Sequence, residues 1–189
     1  MATGSFRRVC VVGGGAAGFY SAVACAEALR LCRATRDVKV LILEKSADVL
    51  HKVRISGGGR CNVTHGHGVP AATGYPRGAA LVATLGARHG AREAARWFTD
   101  HGVPLKTEAD GRVFPKSDSS SSVVSCLQGA AEALGVQVRT GARVRSLKRL
   151  PDGTAELEPR FRLSVESGEA TLEELDCSRI ILCCGSAQT

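Results

Sequence analysis

The chain has 189 residues and a formal net charge of +7, which suits one domain of ordinary size, or one domain with a fragment of another. A hydrophobic content of 44% excludes wholesale disorder, and aromatics at only 4% leave Ala, Val, Leu and Gly to build the core, as in helices packed tightly on a parallel sheet. The positive charge admits nucleic acid, an anionic surface or a phosphorylated small ligand. The arginines, among them Arg30, Arg139 and Arg145, are not interleaved with aromatic residues, so a nucleic-acid stacking platform is not indicated.

Val9–Val12 is a short apolar run ending in glycines and reads as a buried parallel strand. Ala16 to Arg33 is alanine-rich, with no proline and no glycine after Gly18, and reads as a helix. Val38–Glu44 is a second buried strand, completing a strand–helix–strand unit. Residues 45–78 hold many glycines and little periodic pattern, and so long a connection is more often functional than idle. Helices are expected near 79–89 and 91–101, and a hairpin over Lys106–Phe114 turns at Asp110-Gly111. Ser119–Ser122 supply a cap for a helix ending at Gly135. Val136–Val138 is a short strand, and 143–175 reads as an antiparallel meander with turns at Pro151-Asp152-Gly153 and Ser167-Gly168. Ile180–Gly185 is a last buried strand. A parallel strand there calls for a covering helix, and none follows before Thr189, so the chain reads as the N-terminal part of a longer protein.

Gly13-Gly14-Gly15-Ala16-Ala17-Gly18 matches G-x-G-x-x-G between a strand and a helix, with an acid, Glu44, about 26 residues after Gly18. In that setting Gly13 permits the tight turn, Gly15 lets a pyrophosphate approach the backbone, and Gly18 allows close helix–strand packing. The amino end of the helix, at Ala16 and Ala17, offers free N–H groups and the positive end of its dipole. Glu44 can accept hydrogen bonds from ribose hydroxyls and would repel a 2′-phosphate, which disfavours NADP there. The loop alone does not choose between FAD and NAD. A second glycine cluster, Arg54-Ile55-Ser56-Gly57-Gly58-Gly59-Arg60-Cys61-Asn62-Val63-Thr64, offers exposed backbone N–H groups at its three successive glycines, Gly57, Gly58 and Gly59, beside Ser56, with cationic donors at Arg54 and Arg60, and polar groups at Asn62 and Thr64 for the edge of a ring.

Eight cysteines without a Cys-x-x-Cys pair, several of them in apolar runs, behave as small hydrophobes rather than a disulfide framework, which implies a reduced, cytoplasmic setting. The start reads as too short for a signal peptide, and no apolar stretch is long enough to span a membrane. Cys61, His65 and His67 are three metal-type ligands where structural zinc wants four, so no metal is expected. Cys61 lacks a resolving partner for redox work. Cys183-Cys184 is expected in the core, Trp97 and Phe98 in helix packing, and His51, His89 and His101 at the surface. No oligomeric interface and no catalytic acid are read from this stretch.

The run Lys52–Thr64 strongly resembles the hallmark segment of the BaiN-like (YhiN-like) NAD(P)/FAD-dependent oxidoreductases. Gly13–Gly18, Leu43-Glu44-Lys45, Gly111-Arg112-Val113-Phe114-Pro115 with Ser117, and Gly141-Ala142-Arg143-Val144 add to the resemblance. It implies an α/β fold: a Rossmann-like FAD-binding domain over 1–189, with a parallel sheet and an antiparallel β-meander crossover, truncated before a substrate domain and a returning flavin-site segment. It further implies that Lys45, Arg54, Cys61, Asn62, Val144 and Gly185 join the cofactor site, with FAD as cofactor, NAD(P)H as reductant and a small organic substrate such as an activated C=C compound. The isoalloxazine would lie near residues 56–64, and this part alone would be inactive. The chain departs from the pattern at Cys183-Cys184-Gly185-Ser186, usually Ala-Thr-Gly-Gly-like, and at His65, usually Asn. Two other classes remain: a module that holds a nucleotide without turnover, and an NAD-only dehydrogenase.

Overall fold

A computed structural model of the chain describes residues 7–32, 38–66, 78–151, 159–168 and 171–185. Two compact units result: Met1–His51 with Leu127–Thr189, and Lys52–Cys126.

The first unit is built on a four-stranded parallel sheet, β1 (Arg7–Val12), β2 (Val38–Leu43), β6 (Gln137–Arg139) and β10 (Arg179–Leu182), in the order β10-β1-β2-β6. Side chains alternate across a strand, so each of the two central strands serves two cores. Cys10, Leu41 and Leu43 face a cluster with Ala142, Leu163, Val165 and Cys177. These partners belong to the antiparallel meander β7 (Ala142–Arg149), β8 (Phe161–Ser167) and β9 (Thr171–Cys177). The meander thus carries the chain from one edge strand of the parallel sheet to the other and covers one face on the way. Helix α1 (Ala16–Leu31) buries Gly18, Phe19, Ala22, Val23 and Ala26, a three-to-four-residue spacing that gives one apolar face. Val9, Val11, Val40 and Ile42 of the two central strands are likewise buried. Gly168 turns β8 into β9 with φ +57, as its sequence position requires. The Asp152-Gly153 turn lies outside the described residues.

In the second unit the described part of the long connection holds α2 (His51–Ile55), a 3-10 turn (Ser56–Gly59) and β3 (Thr64–His65), the last added to the hairpin β4 (Leu105–Thr107) and β5 (Arg112–Pro115). Helices α3 (Ala79–Arg88) and α4 (Ala91–Asp100) lie where periodicity places them. Trp97 meets Phe98 edge to face at 5.0 Å and stacks on His101 at 3.9 Å. Helix α5 (Ser120–Ala133) opens with Ser119 Oγ accepting the Ser121 N–H at 3.3 Å, the expected serine cap.

Two expectations are corrected. Among the described residues β10 pairs with β1 alone, and Leu182 is 65% exposed rather than buried. Cys183 and Cys184 lie beyond its end, half-buried and exposed respectively, not in the core. An apolar run paired on one side looks, in sequence, like one paired on both, because the neighbour is not encoded locally.

Candidate functional site

In the first unit, β1 ends at Val12 and the chain turns at Gly13, whose φ of +113 is open to glycine and rarely to other residues. A Cβ there would fall 2.3 Å from the Cys183 carbonyl oxygen, and one at Gly18 would fall 1.8 Å from that of Gly13. Both glycines therefore serve the close approach of loop, helix and β10. Gly15 differs: a Cβ there would meet no atom within 4 Å. It is the N-cap of α1, has no side-chain cap, and no acidic residue occupies the first turn. Ala16 and Ala17 that follow are exposed. The amino end of the helix is thus an uncapped set of N–H donors facing open space.

The loop is held from below. Gly13 N–H donates to the Leu43 carbonyl at 2.8 Å, Gly14 N–H to Glu44 Oε2 at 2.6 Å, and Leu50 N–H to the Gly14 carbonyl at 2.8 Å. Glu44 Oε1 accepts the Ser46 N–H at 2.8 Å. Burial alone would raise the Glu44 carboxyl, but the N–H groups of Ser46 and Gly14 and the charge of Lys45 outweigh it and hold the group below the usual carboxylate range. A carboxylate has about four lone-pair directions, so two backbone donors leave acceptor capacity for ribose hydroxyls. Residues 139–142 run alongside, with Glu44 N–H donating to Arg139 O, Ala142 N–H to Glu44 O and Gly141 N–H to Ser46 O at 2.8–2.9 Å. This places the start of β7 beside the Glu44 backbone, with the half-buried Val144 packed against the cluster of Cys10, Leu41 and Leu43. Gly185, with φ +71 and open space at its Cβ position, follows Cys184, whose thiol reaches the Val12 carbonyl at 3.8 Å.

Gly14 and Leu50 were not singled out from the sequence. Gly14 sits at a variable position of the motif, yet a Cβ there would lie 2.9 Å from Glu44 Cβ and 3.0 Å from Val49 Cγ1. Leu50 is 1% exposed and holds φ +58, an unfavourable conformation for a non-glycine residue, and nothing in its local sequence announces that.

In the second unit, Gly57, Gly58 and Gly59 have φ +58, +68 and +85, and Cys61 follows at +63. The turn is closed by Cys61 N–H donating to Ser56 O at 3.0 Å, Ser56 Oγ to Val53 O at 3.0 Å and Ser120 Oγ to Arg54 O at 2.9 Å. A Cβ at Gly58 would meet nothing within 4 Å. With its amide oriented so that the nitrogen donates, Asn62 hydrogen-bonds the carbonyls of Thr64 at 2.8 Å and Val113 at 3.3 Å, which ties it to β3 and β5. Cys61 is 6% exposed, and burial pushes its thiol up against a smaller opposing effect of Ser56, which does not favour a reactive thiolate. The Arg54 side chain is exposed. That of Arg60 is paired with Glu108 Oε1 at 2.5 Å and stacked 3.9 Å from the Phe114 ring centre. Among the described residues no group of three metal-type ligands converges, and His67 lies outside them.

A parallel sheet whose first strand turns through glycine into an uncapped helix, beside a second strand that ends in a carboxylate, defines a dinucleotide-binding Rossmann domain. The sequence profile of the HI0933-like protein Rossmann domain matches residues 7–189. The chain belongs to that family, which is of the FAD-binding, BaiN/YhiN type. It is 28% identical over 179 residues to the 3-dehydro-bile acid delta(4,6)-reductase of Clostridium scindens, covering 95% of this chain and 39% of that protein. The chain thus spans well under half the length of this curated relative. In fold it resembles a 3-ketosteroid-delta4-(5alpha)-dehydrogenase from Rhodococcus jostii, with a TM-score of 0.62 and 17% identity over 96% of this chain and 47% of that one. It also resembles a flavocytochrome c3 fumarate reductase, with a TM-score of 0.53 and 19% identity over 96% and 34%.

Proposed function

We propose that this chain is the nucleotide-binding part of an FAD-dependent oxidoreductase. The observation that carries the reading is the uncapped amino end of α1 at Gly15, where a side chain would find only empty space, beside a Glu44 already held ionised. The backbone N–H groups at Gly15–Ala17 would hold the diphosphate and Glu44 the ribose. Lys45 and the backbone near Val144 would flank the adenosine, and Gly185 would border the diphosphate. The open turn at Ser56–Gly59, with Arg54, Cys61 and Asn62, is assigned to the flavin ring. When bound, FAD supplies hydride transfer, here read as running from NADH or NADPH to a small organic acceptor such as an activated carbon–carbon double bond. The reductase named among the relatives supports that direction. Among the described residues no helix is long and apolar enough to cross a membrane. Eight free cysteines agree with a reducing, cytoplasmic compartment, and no nucleic-acid partner is proposed.

The 39% coverage of the relative favours a second reading for this chain taken alone, a module that binds nucleotide without turning it over. Purified protein should show a flavin absorption band, and the released ligand should have the mass of FAD. Bleaching of the band by NADH or NADPH marks the enzyme, and a band that persists marks the passive binder. Tight NADH binding with no extractable flavin overturns both in favour of an NAD-only dehydrogenase.

A further inference from the structure

Arg60 looks in sequence like a cation waiting for a phosphate. Its surroundings give it another task. Its Nη1 lies 2.5 Å from Glu108 Oε1 and 3.6 Å from Asp118 Oδ1, and its guanidinium lies 3.9 Å from the centre of the Phe114 ring. Glu108 is itself fixed: its N–H donates to the Arg112 carbonyl at 2.8 Å, and its carbonyl accepts the Gly111 N–H at 2.9 Å. Asp118 also receives Lys106 Nζ at 2.5 Å, and Arg112 pairs with Asp110 at 2.7 Å. Arg60, Lys106 and Arg112 are thus matched by Glu108, Asp110 and Asp118, so this cluster has no surplus positive charge to offer an anion. Hydrogen bonding to Glu108 holds Arg60 more firmly protonated than a free arginine.

The same ring that Arg60 covers supports the glycine turn. A Cβ at Gly57 would come 2.8 Å from Phe114 Cε1 and 2.9 Å from the Asn62 backbone nitrogen, so the turn is pressed on the aromatic edge. We propose that Arg60 is a positioning residue: clamped by Glu108 and Asp118 over Phe114, it sets the left-handed Gly57–Gly59 turn rather than donating to the cofactor. The proposal rests on the assignment of that turn to the flavin ring.

The test uses Arg60→Met, Glu108→Gln and the double variant, with FAD affinity and the shape of the bound-flavin band as one readout. Amide hydrogen exchange over residues 57–62, without any ligand, is the other. Each single variant should weaken FAD binding about tenfold, alter the band and raise exchange. The double variant should be no worse than either single one, because both cut the same clamp. ADP affinity should be unchanged. If Arg60 instead touches the cofactor, Glu108→Gln frees the cation and FAD binding holds or tightens while Arg60→Met weakens it, and the proposal falls. It falls equally if exchange at 57–62 is unaltered. A wild-type protein that takes up no FAD defeats the assignment of function. The exchange experiment still decides whether the clamp holds the turn.

Discussion

Glycines of one motif do different physical work. Gly13 and Gly18 are required by the fold, because added methyl groups would collide with carbonyl oxygens at 2.3 and 1.8 Å. Gly15 meets no such obstacle: among the described residues nothing lies within 4 Å of its Cβ position. Gly18→Ala should therefore lower stability by about 2 kcal/mol or more, as overpacking against backbone does, measured by urea unfolding. Gly15→Val should lower stability by only about 1 kcal/mol, the loss of a favourable N-cap residue, and abolish flavin uptake, because its branched side chain fills the space assigned to the diphosphate. A Gly15→Val variant as unstable as Gly18→Ala, or one that keeps its flavin, would contradict this division of labour. Glycine spacing signalled the loop, but which glycine faces empty space is decided by residues as distant as Cys183, whose approach no local pattern records.

At the level of elements, the meander is more than a connection. Leu163 and Val165 are fully buried against Cys10, Leu41 and Leu43 of the parallel sheet. Leu163→Ala should cost about 3 kcal/mol, within the range for leucine truncation in a packed core, measured by denaturant unfolding. A loss under about 1 kcal/mol would mean that the meander is a loose appendage. The elements themselves were largely legible: β1, α1, β2, the 79–89 and 91–101 helices, the hairpin and the meander occur within a residue or two of where periodicity and turn residues place them. The long connection was less so. Its 3-10 turn depends on consecutive left-handed glycines closed by Ser56 and pressed on Phe114, an arrangement stabilised by groups some fifty residues away in sequence. The irregularity between Val144 and Ser146 likewise arises from pairing with β8.

For the molecule as a whole, a site that lies open before any ligand arrives should respond to the nucleotide half alone. ADP at a hundred times its dissociation constant should stabilise the protein by about 2.7 kcal/mol, seen as a rise in thermal midpoint. The rise should vanish in Gly15→Val, and its absence in wild type would remove the first unit from the cofactor reading. The sequence by itself determined the strand–helix–strand unit, the glycine loop within it and the acid that follows, because hydrophobic period and glycine spacing are local signals. Only the tertiary structure decided that Leu182 of β10 is exposed, that Gly14 and Leu50 brace the loop from behind, and that Arg60 is spent on Glu108 and Phe114. Those outcomes depend on which distant side chains and backbone groups meet, and a charge or a glycine in a sequence does not say which neighbour will claim it.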